Sequence, residues 1–166
     1  STLHAARQRL ADARDRALAA DIVLGTLRWQ RAIDQVCGAF TSRPFEKLDI
    51  EVRVILRLSV YQLLHLDRVP AAAVVDDAVD LTRVAHKPSA SGFVNAVLRA
   101  ALRQRHRLPL PERPSDPTDR DAALAYLGIT HSHPEWLVAR WLDRHGFDAT
   151  EGWVRFNNTP SALTLH

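Results

Sequence analysis

The stretch LDIEVRVILRLSVYQLLHLDRVPAAAVVDDAVDLT, Leu48 to Thr82, decides the fold of this chain. In it Val52, Ile55, Leu56, Leu58, Tyr61, Leu63 and Leu64 follow helical spacing and show no strand alternation. They wrap most of a helix running from Ile50 to Leu66, and a helix that is apolar most of the way round belongs at the centre of a bundle. Asp49 is of the residue type that caps such a start. Pro70 fits the first turn of the next helix, where an N–H has no partner to lose. That helix turns Ala71, Val74, Val75, Ala78, Leu81 and Ala85 inward. Its acids Asp76, Asp77 and Asp80 form a solvated polar side.

The helical period continues on both sides. Upstream, Asp12 or Asp15 can cap a helix with Ala17, Ala20, Leu24 and Leu27 on one face. The pattern resumes after Trp29 with Ile33, Val36, Cys37 and Phe40, and a turn around TSRPFEKLD leads to the central helix. Downstream, HKPSASG interrupts the period. GFVNAVLRAALRQR, Gly92 to Arg105, then restores it with Phe93, Val94, Val97, Leu98, Ala101 and Leu102 inward and Asn95 hydrogen-bonded at the helix start. Arg99, Arg103 and Arg107 recur every four residues on a different face.

Residues 108–118, LPLPERPSDPT, hold four prolines and read as an extended surface linker. Beyond them DAALAYLG is a short helix, and Ser132-His133-Pro134-Glu135 matches a capping box ahead of Leu137, Val138, Trp141 and Leu142. A last helical turn with Trp153 and Phe156 leads into NNTPSALTLH, where a strand-like alternation begins. The expected organisation is all-α: a helical bundle over 1–107, a Pro-rich linker over 108–118 and a small helical subdomain over 119–166.

Composition narrows the function. The 166 residues are 46% apolar and 25% charged, globular values. No apolar run approaches the ~20 residues of a membrane span, so the chain reads as soluble, without a membrane partner. Its single cysteine suits a reducing cytoplasm. The chain begins at Ser1 and contains no methionine, as a processed or expressed piece would. Its six glycines, at 25, 38, 92, 128, 146 and 152, form no G-x-G-x-x-G or Walker loop, so no cofactor site is expected within it. Cys37 lies mid-helix on the inward stripe, a poor place for a nucleophile. The eight histidines include no H-E-x-x-H, and His131 and His133 do not share a helix face. Neither a catalytic residue nor a metal site is expected.

The charge is uneven. Residues 1–107 carry 17 Lys+Arg against 11 Asp+Glu, a net +6, while 108–166 carry 5 against 8, a net −3. Arginine supplies 20 of the 22 basic residues, and a guanidinium can both fork onto phosphate and stack on bases. Arg53 and Arg57 share a face of the central helix, Arg99 and Arg103 share one on the last helix of the bundle, and Arg28 and Arg31 flank Trp29, where a base can stack. These six are the candidate RNA contacts. Each fits a salt-bridge network with Asp21, Asp34 or Glu51 as well as it fits RNA.

Four segments, in this order, carry a resemblance: DRALAADIVLGTLRWQRAID, the quoted LDIEV…DLT stretch, GFVNAVLR and SHPEWLVARWLDRHG. Together they resemble the N-terminal region of bacterial small-subunit ribosomal RNA cytosine-5 methyltransferases of the RsmB (Sun) type. The first domain of these enzymes is similar to the antitermination factor NusB, an all-helical RNA-binding fold. SHPEWLVARWL followed by NNTPSALTL favours the methyltransferase over free-standing NusB. The resemblance implies that S-adenosylmethionine and the catalytic cysteine belong to a C-terminal domain downstream of this chain. It also implies that Ser1 follows the family's first basic helix. The chain departs from the pattern at Ala72, where relatives commonly have histidine. The implied function is a non-catalytic module that engages ribosomal RNA. The alternatives are a protein-interaction module that docks on its own catalytic domain, and an antitermination factor.

Overall fold

A computed structural model describes residues 10–159. Among them all regular structure is helical, with seven α-helices and no strand. The chain divides into two compact units between Pro109 and Leu110. Residues 160–166, where strand-like alternation was expected, lie outside the described residues.

The first unit contains α1 (Ala13–Arg28), α2 (Gln30–Ala39), α3 (Ile50–His65), α4 (Ala71–Val84) and α5 (Ser91–Arg103). Helix α3 is its centre: it packs against α1, α2, α4 and α5, with Val52, Ile55, Leu56, Val60 and Tyr61 buried. Leu58, Leu63 and Leu64 are only half-buried. Asp49 precedes α3 as expected, but its carboxylate takes the Lys87 ammonium at 2.7 Å and makes no cap bond. Facing α3 are Ile33, Val36 and Cys37 of α2, Val74 and Ala78 of α4, and Val94, Leu98 and Ala101 of α5, each at most 1% exposed.

The inward face of α1 differs from the expected one. Asp12 caps the helix, accepting the Arg14 N–H at 2.7 Å, but Leu24 and Leu27 are 54% and 61% exposed and Ala17 is exposed. The buried residues are Ala20, Gly25 and Thr26. The cause is how closely α1 approaches α3: a Cβ on Gly25 would overlap the Tyr61 ring. Small residues therefore make the contact, and the leucines are left outside.

Two further positions shift. On α4, Leu81 is 41% exposed, while Thr82 is fully buried. The Thr82 hydroxyl donates to the Val79 carbonyl and hydrogen-bonds Ser91 Oγ, both at 2.6 Å, which satisfies its polar atom and ties α4 to α5. Helix α5 ends at Arg103, so Arg107 does not continue the arginine row; its N–H closes a turn onto the Gln104 carbonyl. Asn95 does not cap the start of α5; its Oδ1 accepts the Arg99 Nε–H at 2.9 Å.

The second unit contains α6 (Arg120–Ala125), a wide turn at Tyr126–Thr130 and α7 (Glu135–Asn158). Helix α7 breaks at Gly146, whose φ of 76° is reached at low cost only without a side chain. Trp153 and Phe156 thus sit on the arm of α7 after the break. The core gathers Ala123, Tyr126, Leu127, Val138, Phe147 and Val154. The proline-rich stretch is non-helical, as its composition requires, and its first half is fastened to this unit. Pro114 is buried, the Pro111 carbonyl accepts the Thr130 hydroxyl at 2.6 Å, and Arg113 binds Glu151.

Candidate nucleic-acid interface

The six arginines all lie in the first unit, and the bundle treats them differently. Arg57 forks onto Asp34, with Nε and Nη2 each 2.7 Å from a carboxylate oxygen. Its guanidinium also lies 5.6 Å from the centre of the Phe45 ring. That bidentate bond raises its already high pKa, so Arg57 is committed to joining α2 and α3. One helical turn earlier, half-buried Arg53 keeps a buried Nε with no hydrogen-bond partner. A buried donor without a partner is unfavourable and is relieved by an incoming acceptor.

Arg99 and Arg103 are exposed on α5; among the described residues Arg99 donates to the neutral Asn95 Oδ1, and no acid pairs with it. Arg28 and Arg31 are half-buried on either side of Trp29, and Arg31 is engaged by other groups. Trp29 already has an internal partner. Its ring stacks with His65 at 4.9 Å, and His65 stacks with Tyr61 at 5.1 Å. The Tyr61 hydroxyl donates to Asp21 at 3.0 Å, and burial together with that bond pushes its pKa up to about 12. One face of the expected stacking site is thus used within the fold.

Periodicity passed over two cations. Arg43 and Lys47 lie in the turn between α2 and α3 and line a cleft with Ser42, Ser89 and Phe93. Helical periodicity does not mark a turn, and the only available signal was the charge itself.

Cys37 is fully buried, and burial, with the Asp34 charge, pushes its thiol pKa far up, so it is not a thiolate at neutral pH. Among the described residues no group of three His, Cys, Asp or Glu side chains is placed to hold a metal ion, and no helix is long and apolar enough to cross a membrane.

The described residues of the first unit therefore define a bundle of five α-helices that carries on its surface arginines with no acid partner among the described residues. Residues 1–103 match the NusB family, and the chain belongs to it. It is 35% identical over 151 residues to the probable ribosomal RNA small subunit methyltransferase B of Bacillus subtilis, covering 91% of this chain and 32% of that protein. It is 36% identical over 126 residues to the Pseudomonas putida ribosomal RNA small subunit methyltransferase B, covering 76% and 26%. It is also 32% identical over 83 residues to the transcription antitermination protein NusB of Aeromonas salmonicida, covering 50% and 61%. The chain spans between a quarter and a third of the length of the two methyltransferases.

Proposed function

We propose that this chain is the RNA-engaging part of a small-subunit ribosomal RNA methyltransferase of the cytoplasm. The observation that carries the reading is Arg99 and Arg103: two cations one turn apart, exposed and without an acid partner among the described residues, on a NusB-family bundle. Arg28, Arg31 and Arg53 add to the positive surface, and Arg57 holds the helices that present it. The 91% coverage against the Bacillus relative extends through the second unit, which favours a methyltransferase over a free antitermination factor.

The described residues do not fit S-adenosylmethionine or the attack on cytosine. They offer no glycine-rich strand-to-helix turn, and the lone thiol is sealed in the core. On this reading methyl transfer belongs to a C-terminal methyltransferase domain of the parent polypeptide, which also supplies the cofactor site. The test is RNA affinity of the chain against salt. Single-stranded binding is expected to weaken with a log–log slope of about −0.7 per phosphate contacted. Replacing Arg99 and Arg103 by alanine should reduce that slope. An affinity indifferent to both salt and the replacement would refute the reading.

A second reading, docking onto the parent's own catalytic domain, is favoured by one feature. Ile50, Val54 and Leu81 line an almost wholly apolar cleft of about 340 Å³. Tight capture of the purified catalytic domain without RNA binding would decide for it.

A further inference from the structure

The cleft beside Arg43 and Lys47 has a chemistry that the arginine rows lack. Its volume is about 480 Å³, within the range of small-ligand sites and large enough for one nucleotide. Arg43 and Lys47 line it from the turn between α2 and α3, and neither has an acid partner among the described residues. Ser42 lines it from the same turn, Ser89 from the turn between α4 and α5, and half-buried Phe93 brings an aromatic ring. The acid on its wall, Asp49, is already paired with Lys87 at 2.7 Å, so the unbalanced charge is positive. Both lysines of the chain thus gather at this one place.

The walls are held in position before any ligand arrives. Phe45 is 6% exposed and anchors the turn beneath Arg57, the Lys47 N–H donates to the Pro44 carbonyl at 3.0 Å, and the Thr41 hydroxyl donates to the Arg43 carbonyl at 2.7 Å. A preformed site lowers the ordering cost of binding. A larger cleft elsewhere, about 690 Å³, is lined by Asp15, Asp21 and Asp67 beside Arg14, Arg68 and His65, a charge balance that does not favour a polyanion.

We propose that the Arg43–Lys47–Phe93 cleft is a subsite for one nucleotide of single-stranded RNA. In it Arg43 and Lys47 take the phosphate, Phe93 meets the face of the base, and Ser42 and Ser89 hydrogen-bond the ribose. Cation beside aromatic is the pairing that holds single strands without duplex geometry. The inference rests on the RNA-binding reading and adds where the strand is gripped.

The experiment uses the whole 166-residue chain and a fluorescently labelled 12-nucleotide single-stranded RNA, with anisotropy read across a salt series. The double variant Arg43→Ala/Lys47→Ala is expected to bind at least tenfold more weakly, with a salt slope shallower by about 0.7 to 1.4, one or two phosphates' worth. Phe93→Leu, which keeps apolar bulk for the fold, is expected to bind about fivefold more weakly or worse with the slope unchanged, because stacking carries no counterion release. Arg68→Ala, at the acid-rich cleft, should bind as the parent does. Urea unfolding of each variant separates loss of binding from loss of fold. If both cleft variants bind normally while Arg99→Ala/Arg103→Ala weakens binding, the cleft assignment falls and the RNA-binding reading stands. If the parent chain shows no salt-dependent affinity, both fall.

Discussion

Replacing Glu151 by glutamine should loosen the second unit by a predictable amount. Glu151 is 8% exposed and its two oxygens are shared by donors from three residues. Arg113 approaches with Nε at 3.0 and 3.2 Å and Nη2 at 3.1 Å, while the Tyr126 hydroxyl and Arg155 Nη2 each donate at 2.9 Å. Arg113 also lies 4.9 Å from the centre of the Phe147 ring, so the same residue ties the proline-rich stretch to the core. Breaking a fully buried pair costs about 3–5 kcal/mol. The side chains of Arg113 and Arg155 are 47% and 59% exposed and recover water, which lowers the expectation to about 2–3 kcal/mol. Urea unfolding followed by tryptophan fluorescence is suitable, because Trp136, Trp141 and Trp153 all lie in this unit.

The pH dependence of the same variant follows from the direction of the shift. Hydrogen bonds from Arg113, then from Tyr126, hold the Glu151 carboxyl below its ordinary value of 4.5. Its contribution is therefore complete above about pH 4.5 and is lost as pH falls through the lower folded value. Glutamine cannot titrate, so the stability gap between parent and variant should close in acid. A gap below about 0.5 kcal/mol at pH 7, far short of a charged hydrogen bond, or one that persists unchanged into acid, would refute the account of Glu151 as an ionised hub.

Two further outcomes are expected. Gly25→Ala drives a methyl group into the Tyr61 ring, which overpacking puts at about 1–3 kcal/mol, offset by roughly 1 kcal/mol of helix propensity. Chemical unfolding followed by circular dichroism should show a net loss of up to about 2 kcal/mol that vanishes in a Tyr61→Leu background; a gain in the parent background would contradict the close approach of α1 to α3. His131 and His133 have pKa values lowered by burial, so the unfolded chain takes up protons first, and the second unit should weaken as pH drops below 6.5 toward the folded values. His131→Phe, which removes a buried Nε2 without a partner, should flatten part of that decline at little cost at pH 8; an equally steep decline in the variant would remove His131 from the explanation.

What could be read from the sequence, and what could not, follows from the kind of signal each feature leaves. The bundle was legible because α3 through α5 bury branched apolar residues at helical spacing, and that repetition survives without coordinates. The face of α1 was not legible, because it packs through Ala20, Gly25 and Thr26, and the period instead marked Leu24 and Leu27 on the outside. The arginine rows could be placed on helix faces, but their partners could not. Asp34 is 23 residues from Arg57, and only the approach of α2 to α3 joins them. The same geometry explains why cations on α3 and cations in the turn before it have different prospects. On α3, Arg57 stands beside α2 and meets the acid that this helix carries, Asp34. Arg43 and Lys47 sit past the end of α2, where the nearby acid already holds Lys87, so their charge stays open to solvent.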